Sequence, residues 1–215
     1  MHRRPILREY FDSFLLAVIV VLFMRSFLAE AVQIPTGSME DTLLPGDHLF
    51  INKFTFRDYR KNDSSGILPY IDVRRRDIVV FRFFDEPASS KYYIKRVIGL
   101  PGDVVEIRSK QVYINGKPLD EPYAVFKDPS RNDRRPRDVM GPVEIPIHHY
   151  FVMGDNRDRS YDSRYWGLLP RERIIGRPLV IWWSIDPRQG GRRSQELVMN
   201  FFNQIRWSRM GKMVR

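Results

Sequence analysis

A mainly β fold preceded by one apolar helix is the architecture the sequence predicts, on three observations. Short runs rich in Val, Ile, Phe and Tyr recur from residue 48 onwards, each bounded by turn residues. The 15 prolines and 13 glycines break the 215-residue chain too often for long helices. An apolar run of helical length occurs only near the N-terminus, from Ser13 to Met24, with Ser13 as its one polar residue. The length suffices for one well-filled core, or a core with a smaller appended lobe.

Residues 1–10 carry His2, Arg3, Arg4 and Arg8, and they read as a cytoplasmic N-terminus ahead of a membrane anchor over 11–30. Counted strictly, the apolar run falls short of the about 20 residues that cross a bilayer. Extension through Arg25, whose long side chain can snorkel, and on to Ala29 gives adequate length. A cleaved secretory signal is the competing reading, because Ala29-Glu30-Ala31 satisfies the small-x-small rule. Cleavage there would leave Ser38 on a frayed new terminus, which favours the anchor. Either way the body, residues 31–215, crosses the membrane.

Strands are expected at 48–52, 78–83, 92–98, 104–108, 111–114, 150–153 and 179–183, where β-branched and aromatic residues concentrate. Asn115-Gly116 signals a tight hairpin, and Pro45-Gly46 and Pro101-Gly102 mark two further turns. Residues 104–150 read as a β-rich extension of the body. Two polar insertions, 57–76 and 127–138, read as solvated loops. Toward the C-terminus Leu197, Val198, Phe201, Phe202 and Ile205 share one helical face, so an amphipathic helix is expected over roughly 194–210, docked on the sheet.

The net charge of +10 suits nucleic acid or an anionic membrane surface and does not separate them. The absence of cysteine removes disulfides and thiolate chemistry. The four histidines form no metal-binding spacing, so no catalytic metal is expected.

Chemistry is concentrated in three stretches. The first, Ile34 to Asp47, places Ser38 directly after Gly37 and two residues after Thr36. Alone, such a serine is more often a turn hydroxyl than a nucleophile. The second, Tyr92 to Asp103, puts Lys95 within an apolar strand, where burial disfavours the ammonium form. Lowering its pKa from about 10.4 to about 8 takes roughly 3 kcal/mol of environmental work, and on the strand alone a snorkelling edge lysine is the simpler reading. Combined, the two residues make a nucleophile and a base, a variant of the Ser-His-Asp logic. Gly37 would let substrate approach the backbone, and the Ser38 amide and Thr36 hydroxyl could face a developing oxyanion. The third stretch runs from Gly154 to Gly167.

With these stretches and Arg76-Asp77-Ile78-Val79-Val80-Phe81, the chain resembles bacterial type I signal peptidase, the membrane-anchored leader peptidase. The resemblance implies a β-rich body related to repressor-type proteases, with the β extension, and cleavage of signal peptides after small-x-small sites. It implies Ser38 as nucleophile and Lys95 as general base, with Thr36 in the oxyanion hole where many members have serine. Ser160 is implied to orient the lysine, Asp162 and Arg164 to form a supporting pair, and Ile34 and Ile94 to wall the pockets for small side chains. The implied partners are exported preproteins and membrane lipid, without nucleic acid or cofactor, at the bacterial cytoplasmic membrane. The single N-terminal apolar segment departs from the best-known members, which have two. A translocated basic binding module with structural Ser38 and Lys95 is the alternative. A self-cleaving repressor would need a DNA-binding domain ahead of the protease body, for which residues 1–37 are too short and too apolar.

Overall fold

The β-branched runs of the body form two antiparallel sheets. A computed structural model describes residues 6–23, 29–53, 72–82, 92–129, 136–187 and 202–214. The strands are β1 (Ala29–Gln33), β2 (Asp47–Asn52), β3 (Ile78–Arg82), β4 (Tyr92–Gly99), β5 (Val104–Arg108), β6 (Gln111–Ile114), β7 (Lys117–Pro118), β8 (Met140–Glu144), β9 (His149–Met153), β10 (Leu169–Pro170) and β11 (Ile174–Ser184). Helix α1 spans Ile6–Phe23 and the one-turn α2 spans Ser163–Trp166. The large sheet has the order β1-β2-β11-β3-β4-β9-β10 and the small one the order β7-β6-β5-β8.

The long strand β11 holds the large sheet together. Its first residues pair with β3, Ile174 opposite Phe81, and the remainder pairs with β2, from Arg177 opposite Asn52 to Ser184 opposite Asp47. At the handover, a Cβ on Gly176 would lie 2.2 Å from the Asn52 carbonyl oxygen, so only glycine permits the crossing. In β3 the residues alternate between two cores. Ile78 and Val80 join Ile34, Met39, Leu49 and Ile94 on one face, while Val79 and Phe81 join Val97, Val152 and Leu169 on the other. Both faces are covered, which is why β3 reads as a continuous apolar run. A third cluster, including Ile98, Val105, Ile107, Phe151 and Met153, joins the small sheet to the large one. In the β6–β7 hairpin Asn115 and Gly116 both take positive φ, 52° and 78°, the geometry that a tight two-residue turn demands.

At four places the structure differs from the sequence expectation or sets its bounds. Helix α1 begins at Ile6 and carries Arg8, Glu9 and Asp12 in its first two turns, and Ala29 and Glu30 pair with Asn52 and Ile51 in β1. The uncharged part of α1, from Ser13 to Phe23, is about 17 Å long at 1.5 Å per residue, against a hydrocarbon core of about 30 Å. Among the described residues no helix is long and apolar enough to cross a membrane.

Second, the expected C-terminal helix does not continue to residue 210. Residues 194–201 lie outside the described residues. Phe202 to Gln204 are helical, but Ile205 bridges Ile185, Trp207–Arg209 form a 3-10 turn, and Met213 bridges Val180. The cause is electrostatic. Arg209 donates to both carboxylate oxygens of Asp47, at 3.0 and 2.6 Å, and Ser184 Oγ donates to the same buried group at 2.6 Å. The chain thus unwinds to turn a cation inward.

Third, the insertions are not wholly solvated. Residues 57–71 and 130–135 lie outside the described residues, but Arg75 bonds Ile98 O and Asp103, and Arg137 with Asp138 forms a buried pair at 2.7 Å. Fourth, the small sheet spans 104–144, within the roughly 104–150 of the expected extension, and β9 belongs to the large sheet.

Candidate active site

Thr36 is extended, with φ −129° and ψ 157°, and the chain then makes a 3-10 turn over Gly37–Met39. Met39 anchors this turn in the core, with 2% of its surface exposed. On the far side, the Asn156 amide donates to Ser38 O at 3.1 Å, and Asn156 Nδ2 reaches Gly37 O at 3.3 Å and Glu40 Oε2 at 3.2 Å. The loop following β9 therefore fixes the turn that bears Ser38. Gly154 makes this contact possible: a Cβ there would lie 2.4 Å from Ser38 O and 2.3 Å from Ser160 Oγ. At Gly37 an added Cβ would meet nothing closer than Glu40 at 3.5 Å, so packing within the chain does not demand glycine there.

Lys95 lies near the middle of β4, opposite Val79. Its Nζ donates to Ser38 Oγ at 2.7 Å, with Ser38 8% and Lys95 3% exposed. Burial pushes the Lys95 amine down from 10.5 to about 8; the Asp162 and Asp155 charges act in the opposite sense, and the Arg164 charge reinforces burial. Thr36 is exposed, and its side chain makes no capping bond to the turn, so its hydroxyl is not spent on local structure. A cleft of about 550 Å³ opens beside the pair, between β1 with its continuation to Met39 and the start of β4. Ile34, Thr36, Ser38, Ile94 and Lys95 all line it.

Asp162 and Arg164 form a fully buried pair, Nε to Oδ1 at 2.8 Å and Nη2 to Oδ2 at 2.9 Å. Burial would raise the Asp162 carboxyl, but the Arg164 guanidinium and the Gly154 amide hold it below its usual value. Arg164 also donates to Arg157 O and Arg137 O, so it knots three loop segments together. Ser160 is buried beside Gly154, and its hydroxyl is among the groups that hold the Asp162 carboxyl low. The hydrogen bond that Lys95 Nζ makes is to Ser38 Oγ, and Ser160 stands beside Asp162, whose charge acts on Lys95.

Sequence reasoning missed a second buried pair at this site. Arg96 binds Asp155 through Nε at 2.8 Å and Nη2 at 2.7 Å, Thr42 Oγ1 donates to the same carboxylate at 2.6 Å, and the Arg96 guanidinium lies 4.1 Å from the Tyr123 ring centre. Arg157 and Glu121 make a third pair, at 2.8 and 2.6 Å. The signal available in the sequence was Arg96 itself, a charge inside an otherwise apolar strand next to Lys95.

A neutral-prone amine bonded to a serine hydroxyl, inside a mainly β body that has no cysteine, fits the class of hydrolases that use serine with lysine in place of the histidine triad. Comparison with known proteins makes the assignment particular. The profile of the signal peptidase family, peptidase S26, matches residues 7–183, and the chain belongs to that family. It is 36% identical to signal peptidase I of Pseudomonas fluorescens, over 86% of this chain and 75% of that one. It is 42% identical to a probable signal peptidase I-2 of Synechocystis, over 81% and 72%. With signal peptidase I of Bacillus licheniformis it shares 36% identity over 86% and 93%.

Proposed function

We infer that the chain is a serine endopeptidase that removes signal peptides from exported preproteins, with Ser38 as nucleophile and Lys95 as general base. The observation that carries the residue roles is the 2.7 Å bond from Lys95 Nζ to Ser38 Oγ within a buried site. When Lys95 is neutral, the hydrogen bond reverses and the amine accepts the Ser38 proton as Oγ attacks the scissile carbonyl. The Ser38 amide and the Thr36 hydroxyl stabilise the tetrahedral oxyanion, and one such donor is typically worth about 100- to 1,000-fold in rate. The resulting ammonium returns its proton to the leaving amine, which departs as the new N-terminus of the mature protein. Water, deprotonated by the same lysine, then hydrolyses the acyl-enzyme and frees the signal peptide. Ile34 and Ile94, which line the cleft with Ser38 and Lys95, wall the pockets that take small side chains before the cut.

The enzyme works at the bacterial cytoplasmic membrane, with the N-terminus inside and the body outside. The basic residues Arg3, Arg4 and Arg8 ahead of the apolar run support this orientation, and Phe14, Leu15, Leu16 and Ile19, exposed on α1, support contact with lipid. Attachment confines the site to the surface where a preprotein's own apolar segment ends, which raises their effective concentration.

The test is cleavage of a preprotein with an Ala-x-Ala site by detergent-solubilised protein. Wild type cuts once, after the second alanine, and Ser38→Ala and Lys95→Ala are both inactive while retaining the wild-type circular dichroism. Cleavage by either folded variant would remove that residue from the mechanism, and no cleavage by folded wild type would favour a binding role. Alkaline extraction of bacterial membranes checks the localisation: the protein stays in the pellet, and release to the supernatant would refute the anchor.

A further inference from the structure

Ser38 lies between two planar peptide units, and Asn156 holds both. Its backbone amide donates to Ser38 O at 3.1 Å, the carbonyl of the unit that follows the nucleophile. Its side-chain Nδ2 donates to Gly37 O at 3.3 Å, the carbonyl of the unit that precedes it. Nδ2 also donates to Glu40 Oε2 at 3.2 Å, and Lys127 Nζ meets that same oxygen at 2.9 Å. Both partners of Nδ2 are acceptors, a carbonyl and a carboxylate, so the side-chain amide can present only its nitrogen to them. Asn156 is itself well anchored. It is fully buried, and Val125 binds on either side of it, donating to Asp155 O at 2.8 Å and accepting from Arg157 N at 3.0 Å. The backbone bond alone would fasten the loop to the turn; the side chain adds a grip on the one peptide whose N–H belongs to Ser38.

In a trans peptide the C=O and N–H share a plane and point in opposite directions. Gly37 O and Ser38 N belong to one such unit, so whatever grips the oxygen also sets the direction of the N–H. Gly37 O accepts from Asn156 Nδ2 and from Glu40 N at 3.1 Å, which turns the Ser38 N–H away from Asn156. Ser38 lies in the first turn of the 3-10 helix Gly37–Met39, where an amide has no acceptor within the helix. We propose that Asn156 is a positioning residue of the oxyanion hole: held by Glu40, its side chain presets the Gly37–Ser38 peptide so that the Ser38 N–H meets the oxygen of the tetrahedral intermediate. It acts through Gly37 O and not on the substrate. A donor fixed in advance costs no reorganisation as charge develops, and that is the source of an oxyanion hole's effect on rate. This inference rests on the serine-peptidase reading above.

The experiment compares wild type, Asn156→Ala and Glu40→Ala as full chains in detergent. The ligands are an Ala-x-Ala preprotein and two peptides ending at the alanine before the cut, one with an aldehyde and one with an alcohol in place of the scissile carbonyl. The aldehyde adds to Ser38: Oγ bonds the carbonyl carbon, the Oγ proton passes to Lys95, and the former carbonyl oxygen becomes the oxyanion. The alcohol fills the same cleft without forming one. Asn156→Ala lowers kcat about tenfold, a part of the about 100- to 1,000-fold that a whole donor is worth, because the N–H is loosened and not removed. KM stays within about twofold and the pH midpoint stays at its wild-type value, the signature of an interaction made only in the transition state. The aldehyde's advantage in affinity over the alcohol falls by the same tenfold, and the alcohol binds as it does to wild type. Glu40→Ala, at a half-buried position, removes one of the two bonds of Nδ2 and lowers kcat about threefold with the same signature, so it decides the matter if Asn156→Ala does not fold. Wild-type kcat and aldehyde preference in folded Asn156→Ala, or in Glu40→Ala, overturn the proposal. So does a rise in KM with equal loss of aldehyde and alcohol binding, which would mean a loosened cleft. If wild type cleaves no preprotein, the peptidase reading fails and this one with it.

Discussion

The most demanding consequence of the site is its pH dependence. Only neutral Lys95 can take the Ser38 proton, and burial places its pKa at about 8. At pH 7, one unit below, about one molecule in eleven is competent; at pH 9, about ten in eleven are. The rate constant kcat/KM therefore rises about tenfold between pH 7 and pH 9 along a single basic limb with its midpoint near 8. The assay is initial cleavage of an Ala-x-Ala preprotein below KM, in detergent at fixed ionic strength, every half unit from pH 6 to 10. A profile flat from pH 7 to 9, or a midpoint near the ordinary lysine value of 10.5, would show that the amine titrating in the reaction is not the buried one. A descending profile would reverse the direction of proton transfer and refute the base assignment outright.

Three further outcomes follow from the same geometry. Lys95 has a depressed pKa in the fold, so the unfolded chain binds its proton more tightly. Below pH 8 this costs the native state about 3 kcal/mol, and the cost fades between pH 8 and 10.5. Lys95→Met therefore raises the unfolding free energy at pH 7 by about 3 kcal/mol while abolishing cleavage, and a loss of stability in urea titration would contradict it. Thr36→Val, which keeps the shape and removes the hydroxyl, lowers kcat about 100-fold with little change in KM, and Thr36→Ser restores it; equal activity of Val and Ser variants would exclude an oxyanion role. Asp155→Asn strands the Arg96 guanidinium, 4% exposed, and costs about 3 kcal/mol or more, whereas a double change of Arg96 to Met and Asp155 to Leu costs less than the single one, measured by thermal or urea unfolding.

What the sequence made legible was local. Runs such as Val104–Arg108 and Gln111–Ile114 are strands at the residues where their composition places them, and Asn115-Gly116 turns as its φ preference requires. β1 was hidden, because Ala29–Gln33 has Val32 as its one strong β-former and pairs only as an edge on β2. So was β8, whose Gly141 and Pro142 argue against a strand until β5 supplies a partner. The C-terminal segment misled for a different reason. Its apolar spacing satisfies a helix, but the demand of Asp47 for counter-charge, 162 residues away in sequence, outweighs local preference. At the site, Ser38 and Lys95 lie 57 residues apart in sequence, and the structure brings them into contact. The Arg96–Asp155, Arg157–Glu121 and Arg137–Asp138 pairs were not legible, since nothing in a linear pattern says which of many charges will be buried together.

Those pairs bear directly on how a lysine can be a base here. An isolated carboxylate near Lys95 would hold the ammonium form and cancel the effect of burial, and two carboxylates, Asp162 and Asp155, are close enough to act on it. Each is instead bound by two hydrogen bonds to its own arginine, Arg164 and Arg96, so the field that reaches Lys95 is largely that of neutral pairs. Desolvation then decides the outcome. The same arginines fasten the loop from Gly154 to Arg164, whose Asn156 amide holds the Ser38 turn. One set of contacts therefore fixes the position of the nucleophile and keeps its neighbour's charge balance near zero. Breaking either pair should disturb both, and the pH midpoint of cleavage separates the two effects. Loss of the Asp162 partner through Arg164→Met frees a carboxylate and removes a cation, each of which stabilises the ammonium. The midpoint then moves above 8, whereas a change that merely loosened the turn would lower the rate at every pH and leave the midpoint in place.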